Sequence, residues 1–445
     1  MNITIVGAGR VGIHLAKYFI NEHQDVYLVD KDTDKLSALE SDFNMRTFAG
    51  EPVDFKVLRE AKADKADIFV AVTAETSENL VACALAKSMG AKKTIARVDK
   101  YDFMEPANTG VVRRMGVDHV VFPDLLAALN VINALEHPWC RSWNDFGEGR
   151  IFMAAVSVRP EAPWAGIRLK EFFSHSTLMH VSALRRDHST IIPRGDDIIQ
   201  PGDILYVTFV PHGLNVVMEL AGKTLFPVRK VLVLGGSTAA EIVAKISSRQ
   251  YSLVVMEKNL ARCRELAASC RNIDVIYGDG SEEDVLEEAG IHSCDAFVAL
   301  SDSSERNILA CLTAKEAGVR RTIAEVEKEQ FIDKAESFNI GSIINKPILT
   351  ANAIFQLILD SGSVSSRCMA MTDAEVARLV IKENSYLATA PVMQLKLPRE
   401  LTFAGMIRDG HGEIVTGSTQ FRPGDDVIVF CLNGALDKVE KLFGK

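Results

Sequence analysis

The sequence has no apolar run of the roughly 18–20 residues that a membrane-spanning helix needs. It has no C-x-x-C pair. Its eight cysteines (Cys83, Cys140, Cys263, Cys270, Cys294, Cys311, Cys368 and Cys431) are scattered, so free, buried thiols in a reducing compartment are expected. Positive charge is in deficit: 50 Lys and Arg stand against 59 Asp and Glu, a net charge of −9. Such an average surface is unsuited to coating nucleic acid or anionic lipid, and no nucleic-acid partner is expected. G-x-S-x-G, H-E-x-x-H and G-x-x-x-x-G-K-[ST] are all missing. The ten histidines are spread singly, and His175 and His180, five apart, make no metal pattern. No basic stretch precedes the strand-like run Met1–Gly7, so no secretory leader is expected.

What is present is a repeat. At about 150 residues per domain, 445 residues suggest about three units. Self-similarity gives a sharper division. Ile5-Val6-Gly7 matches Val233-Leu234-Gly235, and Phe48-Ala49-Gly50-Glu51 matches Ile276-Tyr277-Gly278-Asp279. Ala71-Val72-Thr73 matches Ala299-Leu300-Ser301, Asn79 matches Asn307, and Ile95–Val98 matches Ile323–Val326, all at an offset of 228. Asp30 pairs with Glu257 at 227. Downstream, Pro201-Gly202-Asp203 matches Pro423-Gly424-Asp425 and Asp187 matches Asp409, at 222. The expected plan is therefore A–B–A′–B′, with domains at 1–137, 138–228, 229–361 and 362–445. Pro138–Arg141 and Ser361–Ser366 have the turn-rich or small polar composition of boundaries.

Unit A alternates short apolar runs with amphipathic segments. Ile3–Gly7, Val26–Asp30, Met45–Phe48, Ile68–Thr73, Thr94–Val98 and His119–Phe122 read as strands; segments 10–22, 33–42, 53–62, 77–89 and 101–115 read as helical. The expected class is α/β, with parallel Rossmann-like sheets in both A units, each followed by a small β-rich α+β lobe. The first strand–helix turn carries Gly7-Ala8-Gly9-Arg10-Val11-Gly12, and Asp30 ends the second strand 18 residues later. In that context G-x-G-x-x-G is a dinucleotide fingerprint. Gly7 makes the turn, Gly9 admits a phosphate to the backbone, and Gly12 lets the helix pack. The helix N-terminus offers unpaired N–H groups. Asp30 would accept from ribose hydroxyls and repel a 2′-phosphate, which favours NAD(H) or an adenine nucleotide over NADP(H). Thr73 and Ala74 lie at a carboxyl strand end, where ligands bind in open α/β sheets. Arg97 is placed to reach phosphate oxygens, or to form a surface ion pair. Asn79 either caps the next helix or faces the ligand.

The second copy departs from this pattern. It reads Gly235-Gly236-Ser237-Thr238-Ala239-Ala240, keeps the acid as Glu257 and replaces Arg97 by Glu325. Its site is expected to be weak, changed in ligand or vestigial. A long apolar helix follows each A unit, Asp124–Glu136 and Ile348–Asp360, either as a packing helix or, the preferred reading, as a crossover pairing the two A units or two subunits. In the B units, Phe152–Val158, Leu178–Leu184, Ile204–Val210 and Val427–Phe430 read as strands, and Pro-Gly-Asp as a tight turn. No acid–base constellation accompanies the cofactor signature, which argues for a sensor and against an enzyme. The alternatives are an NAD-dependent oxidoreductase with duplicated Rossmann domains and a nucleotide sensor for some other membrane partner.

The glycine turn 7–12, Val29-Asp30, Ala71-Val72-Thr73, Ile95-Ala96-Arg97 and the Pro-Gly-Asp turns resemble the TrkA family, over nearly the whole chain and in the same A–B–A′–B′ order. That family comprises the cytosolic regulators of bacterial Trk potassium uptake. Each chain holds two RCK (KTN) modules, an N-lobe followed by a TrkA-C lobe. The resemblance implies a homotetrameric ring, peripheral on the inner membrane face, that docks to a TrkH-type channel subunit and binds NAD(H) or ATP/ADP as regulatory ligands. The site residues it implies are Gly7, Ala8, Gly9, Arg10, Val11, Asp30, Thr73, Ala74 and Arg97. The matching positions of the second lobe are Gly235, Gly236, Ser237, Thr238, Ala239, Glu257 and Ser301.

Overall fold

The continuous apolar runs become strands buried on both faces. The computed structural model describes residues 1–43, 45–173, 177–359, 374–432 and 435–443. In the first lobe the strands are β1 (Asn2–Val6), β2 (Asp25–Asp30), β3 (Arg46–Ala49), β4 (Ile68–Ala71), β5 (Lys93–Arg97) and β6 (His119–Val121). Helices α1 (Arg10–Asn21), α2 (Thr33–Phe43), α3 (Phe55–Glu60), α4 (Thr76–Met89) and α5 (Pro106–Arg114) alternate with them. The segment expected to be one helix over 101–115 is broken. A 3₁₀ turn over Tyr101–Met104 precedes α5, because Pro106 has no N–H to donate and restricts Glu105 to an extended conformation.

All five pairings in this sheet are parallel, in the order β3-β2-β1-β4-β5-β6. Ile3, Ile5, Leu28, Val29, Phe69, Val70 and Ile95 are fully buried, as a sheet covered by helices on both faces requires. Strand order reverses between β1 and β4. That is the switch point at which a crevice opens beyond the carboxyl ends of the strands.

After α6 (Pro123–Glu136) the chain forms an antiparallel sheet of β7 (Ser142–Phe146), β8 (Ile151–Ser157), β9 (Met179–Arg186), β10 (Ser189–Ile191) and β11 (Ile204–Phe209), with α7 (Leu169–Phe173) and α8 (Leu214–Leu220). Trp139, Trp164, Phe209 and Val217 fill its core. Trp139 and Cys140, expected to lie in a linker, are thus core residues of this lobe.

The second copy repeats the first. Strands β12 (Lys230–Leu234), β13 (Ser252–Glu257), β14 (Ile273–Tyr277), β15 (Ala296–Ala299), β16 (Arg321–Glu325) and β17 (Ser342–Ile344) form a parallel sheet in the order β14-β13-β12-β15-β16-β17. Helices α9 (Thr238–Ser247), α10 (Leu260–Ser269), α11 (Glu283–Ala289), α12 (Ser304–Glu316) and α13 (Ile332–Ser337) alternate with them, and α14 (Lys346–Leu359) follows. The last lobe is an antiparallel sheet of β18 (Ala374–Val380), β19 (Leu401–Arg408), β20 (His411–Glu413) and β21 (Asp426–Leu432), ending in α15 (Leu436–Leu442). Cys368, His175, the helix end at Asp360 and the expected boundary at 361–366 fall outside the described residues.

The chain divides into two compact units, and the division does not follow the repeat. The first holds residues 1–126 together with α14; the second holds 127–345 and the C-terminal lobe. Within the first unit α14 packs on α1. Phe355 meets Tyr18 edge-on with ring centroids 4.4 Å apart, and lies 5.8 Å from Phe19. Lys346 pairs with Asp124 at 3.3 Å. The helix that follows the second parallel sheet in sequence therefore covers a helix of the first, the crossover arrangement.

Candidate functional site

At the switch point the glycine turn is built by contact. Gly7 has φ +104° and donates its N–H to the Val29 carbonyl at 2.8 Å. A Cβ on Gly7 would lie 2.8 Å from the Thr73 nitrogen, and one on Gly12 would lie 1.9 Å from the Gly7 carbonyl oxygen. Neither position admits a side chain without moving the backbone. Gly9 differs, since a Cβ there would meet nothing within 4 Å. Its surroundings are open space, as a phosphate approaching the backbone requires. Ala8 and Val11 are buried, and Arg10 is exposed in the first turn of α1.

Asp30 ties this turn to β2. Its carboxylate accepts from the Ala8 N–H at 2.6 Å and from the Asp32 N–H at 3.0 Å. A carboxylate offers about four acceptor positions, so two remain for ribose hydroxyls. Opposite, Asn79 is fully buried and holds the ends of β4 and β5 together. Its Oδ1 accepts from the Thr73 N–H and Oγ1–H, each at 2.9 Å, and its Nδ2 donates to the carbonyls of Thr73 at 3.1 Å and Arg97 at 3.0 Å. Asn79 does not cap α4, whose N-cap is Glu75, and its amide is taken up by these bonds. Each expectation used only the helix that follows it, whereas the β5 carbonyl it bonds is far along the chain. Ala74 is exposed above this clamp, and Arg97, half-buried at the end of β5, has no side-chain hydrogen bond or ion pair among the described residues. The first lobe thus brings together Gly7, Ala8, Gly9, Val11, Gly12, Asp30, Thr73, Ala74 and Arg97 along one crevice. An open turn, a spare carboxylate and a free guanidinium fit an adenine nucleotide or dinucleotide.

The second lobe keeps the frame and alters the opening. Glu257 accepts from the Gly236 N–H at 2.6 Å and from the Asn259 N–H at 2.7 Å, as Asp30 does. Asn307 repeats the clamp on Ser301 and the Glu325 carbonyl. Ser237, however, caps α9, its hydroxyl accepting from the Ala240 N–H at 3.3 Å, so it spends a donor that a phosphate would use. Thr238 is exposed and Ala239 buried. Glu325, in place of Arg97, is 4% exposed.

Arg262, which the sequence reading did not single out, donates to the Gly236 carbonyl at 2.7 Å and pairs with Glu241 at 2.6 Å. Burial opposes ionisation of Glu241, yet hydrogen bonds from Lys245 and Arg262 hold its carboxyl down to about 2. The available signal was a joint change between the copies, Ile13 to Glu241 and Lys35 to Arg262. The second turn is thereby strapped by its own charges.

Elsewhere the seven described cysteines are all buried. Cys83 and Cys311, equivalent in the two copies, both donate to strand carbonyls at 3.5 Å, and burial pushes both thiols up. His188, Asp333 and Glu336 gather their ligand atoms within 4.8 Å of one another, but Arg185 already pairs with Asp333 at 2.8 Å and Glu336 at 2.9 Å. Among the described residues no helix is long and apolar enough to cross a membrane.

The TrkA-N domain model matches residues 3–123 and 231–346, and the TrkA-C domain model matches 153–222 and 376–444. The chain is 29% identical over 452 residues to the Trk system potassium uptake protein TrkA homolog 2 of Methanosarcina mazei, each chain being covered in full. It is 26% identical over 450 residues to the Trk system potassium uptake protein TrkA of Halomonas elongata, covering all of this chain and 98% of that one. In fold it is similar to the crystal structure of the GsuK RCK domain, with TM-score 0.60, 15% identity and coverage of 99% and 94%. A structure of the GsuK channel bound to NAD gives TM-score 0.60 at 16% identity, covering 99% of this chain and 78% of that one. With the TrkA-N model alone matching more than half of its residues, and a TrkA-C match after each TrkA-N match, the chain belongs to the TrkA family.

Proposed function

We propose that this chain is the cytosolic regulatory subunit of a potassium-uptake system. In this reading it binds NAD(H) or ATP/ADP in its first lobe, assembles as a homotetramer and docks on the inner membrane face to a TrkH-type subunit whose gate it controls. It is a sensor and catalyses no reaction. The observation that carries the reading is the first-lobe crevice: Asp30 anchors an open glycine turn, and Arg97, at the end of β5, has no side-chain bond among the described residues. The full-length likeness to Trk system potassium uptake proteins supports the transport role, and the NAD-bound GsuK channel supports a nucleotide in this fold.

Regulation requires that the nucleotide bind two conformations with different affinity, since equal affinity shifts nothing. The crossover gives that difference a route. Helix α1 begins at the glycine turn and carries Tyr18 and Phe19 against Phe355 of α14, so a ligand that repositions α1 pushes on a helix continuous with the rest of the chain.

The test is calorimetry with NAD⁺, NADH, ATP and ADP on wild type and on Asp30→Ala, alongside rubidium flux into proteoliposomes holding a TrkH-type subunit. Saturable binding that Asp30→Ala weakens tenfold or more, with nucleotide-dependent flux on adding the chain, is expected. Flux indifferent to the chain, or turnover of NADH with a small carbonyl substrate, would overturn the reading.

A further inference from the structure

Arg321, at the start of β16, is 4% exposed. Its Nη1 donates to the Cys140 carbonyl at 2.8 Å and its Nη2 to the Ser342 hydroxyl at 2.6 Å. Its Nε has no partner among the described residues, and no described carboxylate lies within ion-pair distance. A desolvated guanidinium without a counter-charge is costly.

The Ser342 hydroxyl also donates to the Arg141 carbonyl, which brings a second cation alongside. Arg141 donates to the Ser157 hydroxyl and, at 3.0 Å, to Asn339 Oδ1, while Lys315 donates to the Asn339 carbonyl at 3.0 Å. Lys223 is half-buried and Arg159 exposed, and neither has a side-chain hydrogen bond or ion pair among the described residues. Burial first, then Arg159, Arg141 and Arg321, push the Lys223 amine down to about 8. Burial lowers Arg141 also, and takes Arg321 to about 10. Among the described residues Glu161 acts on Lys223, and Glu336, which Arg185 already engages at 2.9 Å, acts on Arg141. All these residues belong to the second compact unit.

We propose that Arg141, Arg159, Lys223, Lys315 and Arg321 form a binding site for a phosphate-bearing anion at the seam between the first TrkA-C lobe and the second TrkA-N lobe. The site is separate from the glycine turns and independent of their ligand. Guanidinium forks and an ammonium suit phosphate oxygens. Lys223, half-buried, and Arg159, exposed, hold no side-chain bond among the described residues that a small free phosphate would have to displace. A bound anion would offset the mutual repulsion and join one lobe to the next, since its ligands come from β7's approach, β8's exit, α8's exit, α12 and β16.

The test titrates inorganic pyrophosphate into the full chain at fixed ionic strength, by calorimetry and by thermal melting. Comparison variants are Lys223→Ala/Arg159→Ala, which breaks no hydrogen bond described in the structure, and Arg97→Ala. Saturable binding that raises the melting temperature, weakened at least tenfold in the double variant and retained in Arg97→Ala, is expected. Binding lost in Arg97→Ala and kept in the double variant would move the anion to the first glycine turn and overturn the proposal, as would no binding at all. A second arm sediments the chain with phosphatidylglycerol vesicles. Co-sedimentation lost in the double variant would make the phosphate a lipid headgroup at this same site; pyrophosphate binding without co-sedimentation would make it a free anion.

Discussion

His180 and Thr402 occupy the same position in the two β-rich lobes, 222 residues apart, and they meet: His180 Nε2 lies 3.2 Å from Thr402 Oγ1. Equivalent residues touch only near the approximate twofold axis that relates two copies. The two TrkA-C lobes therefore pack on each other as a dimer does, with β19 against β8, β9 and β11, and Tyr206 5.9 Å from Phe430.

Burial pushes the His180 imidazole down to about 4 from 6.5, so it is neutral in the folded chain. Below pH 6.5 the unfolded chain binds a proton that the folded one does not, and stability falls with pH until about 4. From pH 7 to pH 5 this one group costs about 2 kcal/mol. His180→Gln should flatten the pH dependence of the urea midpoint by that amount; equal slopes in variant and wild type would remove His180 as the cause.

Asp30 and Glu257 make the same backbone bonds in unlike surroundings. Asp30→Ala should weaken first-lobe nucleotide binding by 10- to 100-fold, given about 1.5–3 kcal/mol for a hydrogen bond to a charged group. Glu257→Ala should leave the high-affinity isotherm unchanged, because Arg262 and Ser237 already occupy the second turn. A second isotherm of equal strength, lost in Glu257→Ala, would contradict this.

The two glycine turns differ in how closely the helix stands. Gly12→Ala would place a Cβ 1.9 Å from the Gly7 carbonyl and should cost about 1–3 kcal/mol or more, with loss of nucleotide binding. Ala240→Gly, its counterpart, should cost only about 1 kcal/mol, from helix propensity. Denaturant unfolding of both variants reads the difference.

Each Pro-Gly-Asp turn ends in a buried aspartate held by two bonds from an arginine: Asp203 by Arg186 at 2.8 and 2.7 Å, Asp425 by Arg408 at 2.8 and 2.6 Å. Burial opposes ionisation of Asp425, but Arg408 and the Arg422 N–H hold its carboxyl below 3.8. Its contribution is complete above that pH and is lost as pH falls through the lowered folded value. Asp425→Asn should cost about 3–5 kcal/mol at pH 7, since it leaves Arg408 without its partner. The thermal transition at pH 7 measures this.

Much of this was legible in the residues. Period and turn chemistry located the strands of the first parallel sheet to within about two residues, and the offset of 228 marked the duplicated lobe. The glycine turn and Asp30 were readable because backbone geometry there admits few residues. Asn79 was visible as a repeated position, but its clamp on β5 depends on a strand pairing that local sequence does not encode. The Pro-Gly-Asp aspartates read as turn residues, while their arginines stand 17 residues upstream across a hairpin.

The sequence by itself determined the lobes, their order and the geometry of the first glycine turn, because strand runs and tight turns are local requirements. Only the tertiary structure decided which lobes form one compact unit. It gave α14 to the first unit, set His180 against Thr402, and gathered Arg141, Arg159, Lys223, Lys315 and Arg321 at one seam. Burial and like-charge crowding are properties of positions in space, and residues 180 apart in sequence acquire them only when the chain has folded.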